Sequence, residues 1–163
     1  MTMEEINRLD LAGFVAAVGP VFEHSPWVAA RAWPHRPFAD LPAMYDAMTR
    51  QVLDASRDEQ LALLRAHPDL GTRARMSVAS EGEQAGAGLD RLTAVQYDRL
   101  RAANARYHDR FGFPFLFAVK GSTASDILAA LEARVDGAWD AEFETALEQV
   151  FRIARFRLQE IVP

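Results

Sequence analysis

Helix punctuation recurs along the whole chain, and it restricts the fold more than any single motif does. Asp10 stands before "LAGFVAAV", and Asp40 before "LPAMYDAMTRQVLDA". Thr93 with Gln96, and Thr123 with Asp126, open two further runs in the capping-box pattern. Ser25-Pro26 reads as an N-cap followed by proline at the first helical position, ahead of "WVAARAW". The stops are as regular: Gly19-Pro20, Pro68 after "RDEQLALLRAH", Gly112 and Asp136-Gly137. Only "FPFLFAV" reads as extended, because Pro114 disfavours helix in the residue before it, and it is too short and solitary to imply a sheet. From about Trp139 to Val162 the pattern is one long amphipathic helix. These signals predict an all-α chain: a compact single-domain bundle over residues 1–163, with about eight helices packed on one another.

Composition narrows the chemistry. The chain has 163 residues, half of them apolar, which suffices for a substantial core. Its net charge of -5 argues against nucleic acid as a partner, since phosphate binding leaves a basic patch. With no cysteine there are no disulfides, thiolate metal sites or thiol nucleophiles. The start "MTMEEINRLDL" lacks a signal-peptide layout, and "IVP" is not a peroxisomal address. The apolar runs "AGFVAAVGPVF" and "FPFLFAV" fall far short of the roughly 18 residues that suggest a membrane span. The expectation is a soluble cytoplasmic protein that binds neither nucleic acid nor membrane.

Three polar features do not look like surface. His67 ends an apolar helical run at the last position before Pro68. It either caps helix carbonyls or serves as a general acid/base on a rigid base. Ser80 and Glu83 match the S-x-x-E box, so they either cap one another or, with Gln84, gather at a helix start whose N–H groups favour an anion. Gly82, Gly86 and Gly88 are poor helix formers there, which leaves room for a close ligand or for a flexible loop. The third feature is Arg157. Wound at about 100° per residue, the last helix puts Phe143, Leu147, Val150, Ala154, Leu158 and Ile161 in one stripe, and Arg157 falls inside it. A guanidinium facing the core needs an anion or several acceptors: it forms an internal salt bridge, snorkels out at the helix end near Pro163, or holds a substrate carboxylate.

Absences matter as well. None of the four histidines has Asp, Glu or His three or four residues away, so no helical two-ligand metal motif exists. Phosphate-cradling loops, dinucleotide fingerprints and nucleophile elbows are missing from the sequence.

Together, "FEHSPWVAARAW", "RPF", "LLRAHPDLG", "SEGEQAGAGLDRL", "FGFPFLFAVKG" and "RIARFRL" resemble the 2-oxo-4-hydroxy-4-carboxy-5-ureidoimidazoline (OHCU) decarboxylases of urate degradation. The pieces come in that family's order and cover nearly the whole chain. The resemblance implies an all-α fold peculiar to the family, often a homodimer, with no cofactor and no metal. It implies loss of CO2 from OHCU, a small-molecule substrate, to give (S)-allantoin. By motif, His67, Glu83 and Arg157 match the catalytic residues. Pro68, Ser80, Glu81, Gly82 and Gln84 match substrate-binding positions, as does the backbone of Phe115, Leu116, Phe117, Ala118 and Val119. Between "HPDL" and "EQ" the chain carries "GTRARMSVASEG", shorter than in many members.

On this view His67, oriented by Glu83, moves protons, while Arg157 and the N–H groups near Ser80 hold anionic oxygens. Two rivals make different demands. A non-catalytic helical binding module would use His67, Glu83 and Arg157 as a structural network and "FGFPFLF" as a docking surface. A decarboxylase or hydrolase of a related ureide would keep the same residues and change the substrate.

Overall fold

The structure, a computed structural model, describes residues 1–71 and 78–163. Nine α-helices and two short 3-10 turns appear among the described residues, and no strand does. None of these helices is long and apolar enough to cross a membrane. The chain divides into two compact units, Met1–Ala66 with Phe151–Pro163, and His67–Val150.

In the first unit the caps predicted at Asp10 and Asp40 are made, and the one predicted at Ser25 is not. Helix α1 (Met3–Arg8), absent from the sequence expectation, starts on a Thr2–Glu5 capping box. Asp10 accepts from the Gly13 N–H at the start of α2 (Leu11–Val18), and the chain then turns through a 3-10 segment at Gly19–Val21. Helix α3 (Trp27–Ala32) corrects one expectation. Ser25 does not cap it, because its hydroxyl donates to the Glu23 carbonyl instead, and Pro26 is the cap residue with no side-chain bond. Asp40 accepts from Ala43 ahead of α4 (Leu41–Leu53), and a Ser56–Glu59 box opens α5 (Arg57–Arg65). Phe14, Val28, Met44, Met48, Val52 and Leu63 are fully buried.

The second unit holds α6 (Val78–Gly86), α7 (Ala94–Phe111) and α8 (Ala124–Arg134). Thr93–Gln96 and Thr123–Asp126 boxes open α7 and α8 as the sequence predicts. Gly112 closes α7 in the left-handed conformation, φ 76°, which glycine adopts without a Cβ penalty. The last helix, α9 (Trp139–Ile161), gives its residues up to Val150 to this unit and its last turns to the first.

Residues 113–119 belong to no helix or strand, and they bring Phe113 and Phe115 against Tyr107 of α7, with ring centroids 6.0 and 5.4 Å away. A buried polar network sits among these rings. Arg134 meets Glu142 through two parallel bonds, Nε to Oε1 at 3.0 Å and Nη2 to Oε2 at 2.9 Å, and the Tyr107 hydroxyl donates to the same carboxylate. Burial and that hydrogen bond push the Tyr107 phenol far above its ordinary pKa, so it stays a donor. Truncating Glu142 to alanine would strand a half-buried guanidinium and a buried hydroxyl together. We expect Glu142→Ala to cost about 3–5 kcal/mol, read as a lower urea midpoint with an unchanged m value.

Candidate active site

Helix α5 ends at Arg65, and His67 lies two residues beyond it, not at its last position. The residue before a proline is disfavoured in helix, so the chain leaves α5 before His67 arrives. His67 is buried, at 8 % exposure, and opens the second unit. The turn that follows is tied down twice. Asn104 of α7 donates to the Leu70 carbonyl at 2.9 Å, and the Gly71 N–H donates to the Gln84 Oε1 at 2.8 Å. Gly71 has φ +70°, and a Cβ there would lie 2.4 Å from the Leu100 side chain, so glycine is required.

The second bond joins the His67 turn to α6, where the structure corrects the reading of Ser80. Helix α6 starts at Val78, which places Ser80 inside it and not at its cap. The S-x-x-E spacing here describes two neighbours on one helical face. Burial agrees: Ser80 and Gln84 are buried and Glu83 half-buried, while Glu81 and Gly82 are exposed. Added methyls at Gly82 or Gly86 would meet nothing within 4 Å, so protein packing does not require glycine at either position. Gly88, at φ +79°, is explained by its backbone. The shortened loop falls largely on residues 72–77, outside the described residues.

Phe115, Leu116, Ala118 and Val119 are buried and Phe117 is half-buried. Its Leu116 carbonyl accepts from Arg134 Nη1 at 2.8 Å, and its Ala118 N–H donates to Gln149 Oε1 at 2.9 Å. The Val119 carbonyl accepts from the Ser122 N–H at 3.0 Å. Arg134, Glu142, Tyr107 and Gln149 are absent from the sequence reading. One signal could have found Glu142: it stands four residues before Ala146 and eight before Val150, inside the buried stripe of α9.

Arg157 is buried as the helical wheel predicts, at 5 % exposure. It lies in the first unit, where its Nη1 is 2.9 Å from Glu23 Oε2 and 3.3 Å from the Val21 carbonyl. Glu23, whose side chain is fully buried, is the internal anion. Its neighbour His24 takes the left-handed conformation, φ 45°, uncommon for a residue with a Cβ, and holds Nε2 3.8 Å from Glu23 Oε1.

A cavity of about 350 Å³ lies along α7, lined by Asp69, Leu70, Tyr97, Asn104 and His108 among others. None of the predicted site residues lines it. Asp69 Oδ1 is buried there without a hydrogen bond, 3.5 Å from His108 Nε2. Among the described residues, no group of three or more His, Asp or Glu side chains forms a metal-binding set.

A family model for OHCU decarboxylase matches residues 7–159. The chain belongs to the OHCU decarboxylase family. It is 52% identical over 160 residues to the protein named 2-oxo-4-hydroxy-4-carboxy-5-ureidoimidazoline decarboxylase in Haloferax volcanii, covering 98% of this chain and 95% of that one. Among solved structures it is similar to (S)-allantoin synthase, with a TM-score of 0.78 and 32% identity over 99% of this chain and 54% of that one. It also shares its fold with OHCU decarboxylase crystallised in the presence of (S)-allantoin, with a TM-score of 0.72 and 22% identity over 93% of this chain and 97% of that one. The family match runs through both units of the chain.

Within this OHCU decarboxylase chain, Asp69 follows His67 by two residues, and its buried Oδ1 has no hydrogen bond. Burial raises its pKa above the usual 3.8, and the nearby His108 opposes that only in part. A raised carboxyl pKa means that the folded state binds the proton more tightly than the unfolded chain does. The stability this gives is complete below 3.8 and is lost as the pH rises through the folded-state value. Asp69→Asn resembles the protonated form permanently. Its Tm is expected to exceed that of the native chain at about pH 8, where carboxylates are ionised. The difference should shrink as the pH falls toward 3.8.

Proposed function

We propose that this chain is a cofactor-free decarboxylase that converts OHCU to (S)-allantoin in urate degradation. The observation that carries the reading is the 52% identity, over nearly the full length of both chains, to a relative that bears the decarboxylase name. The reading treats residues 1–163 as one domain and extends to a cytoplasmic location and a homodimer.

The chemistry asks three things of the protein. Loss of CO2 leaves an electron pair, and a ring C=N beside the departing carboxylate can accept it, so no external electron sink is needed. The acid must be held, protons must be moved, and one face of a near-planar intermediate must be protonated. The reading gives the grip to Arg157, whose planar fork suits a carboxylate, and to N–H groups near Ser80 and Glu81, beside the exposed Gly82. Proton transfer falls to His67, oriented by Glu83: first at the substrate hydroxyl, then toward the ring carbon. Delivery from a fixed donor selects one hand of the product. Pro68, Gln84 and the main chain of Phe115–Val119 complete the substrate contacts. Gln84 already spends its carbonyl oxygen on Gly71, which leaves its amide nitrogen as the donor end.

OHCU also decays without a catalyst, so the assay must compare rate and handedness. It follows circular dichroism of allantoin formed from freshly generated OHCU, with and without the protein. A product of one hand, formed faster than in the blank, is expected; a racemic product at the blank rate would sink the reading. In the same assay His67→Ala should lower kcat by at least about a hundredfold. Arg157→Lys should raise KM although the charge is kept, because the two-pronged geometry is lost.

A further inference from the structure

The segment proposed to touch substrate through its main chain has no regular secondary structure, yet four of its five residues are buried. Buried peptide groups without a helix or ladder must find side-chain partners. Here those partners are few. The Ala118 N–H is held by Gln149 and the Leu116 carbonyl by Arg134, while the turn at Ser122 takes the Val119 carbonyl. Arg134 is itself fixed by the two bonds to Glu142 and lies with its guanidinium carbon 4.5 Å from the Phe115 ring centroid.

We propose that Gln149 and Arg134 are positioning residues of this enzyme, holding the main chain of Phe115–Val119 in place for the substrate. The inference rests on the reading given under Proposed function, and it goes beyond it in naming what sets the geometry. A contact made by backbone cannot be adjusted through its own side chain, so its position is set by whatever grips that backbone. The two grips are two residues apart, the interval at which an extended chain repeats the direction of its peptide groups. Phe117 is the one residue of the five whose side chain is not buried.

Gln149 offers the cleaner test, because it is half-buried and its removal strands no charge. Gln149→Met and Gln149→Ala lack the acceptor; Gln149→Glu keeps an oxygen at the same reach. In the full chain, the two variants without an acceptor should raise KM about fivefold, the change expected for one net hydrogen bond. They should also speed hydrogen exchange at the Ala118 amide. Gln149→Glu should recover most of both. Unchanged KM in Met and Ala variants that fold, or an equal rise in all three, would overturn the proposal. A parallel His67→Ala variant separates the two levels. If it is inactive while the Gln149 variants behave normally, the positioning role fails and the decarboxylase reading stands. If it turns over normally, the reading itself fails.

Discussion

The need to satisfy buried main chain where no helix can do so shapes the second unit. Residues 113–119 run through an aromatic core without entering a helix, and each peptide group there is costly to leave unpaired. Arg134 answers part of that need and creates another, because a guanidinium among phenyl rings needs a carboxylate. Glu142 supplies it, and Tyr107 completes the carboxylate's bonds. One irregular strip thus accounts for three otherwise unexpected polar side chains in an apolar interior. Breaking any member leaves the others uncompensated, and networks of this kind resist piecemeal change.

The parts of this architecture that sequence could reveal are those written locally. Asp10, Asp40, Thr93 and Thr123 cap because their side chains reach an N–H three residues ahead, and Gly112 ends α7 because it alone accepts the left-handed turn. The same local logic misled at Ser25 and Ser80. A serine can bond a nearby carbonyl instead of capping, and an i,i+3 pair inside a helix has the spacing of a capping box. Periodicity placed Arg157 in the buried stripe but gave no hint of its partner. Glu23 lies 134 positions away, and no pattern along a single chain links the two. Glu142 was open to the wheel argument used for Arg157, since it stands inside the buried stripe of the same helix.

The His67 turn illustrates how a buried imidazole is placed by the residues packed around it. Its geometry comes from Pro68, which ends the helix, from Asn104 and Gln84, which hold Leu70 and Gly71, and from Gly71, which permits the approach of Leu100. At Gly71 a side chain would meet Leu100, so this turn leaves no room for one there. The exposed Gly82 and Gly86 differ, since nothing within the described protein crowds them.

The pairing of Arg157 with Glu23 has a consequence for encounter. A cation already balanced by a neighbouring anion inside the protein projects little potential into solvent, and the chain as a whole is negative. An acidic metabolite is therefore not drawn in from a distance. The net negative charge opposes its approach, and added salt, by screening that repulsion, should speed its capture.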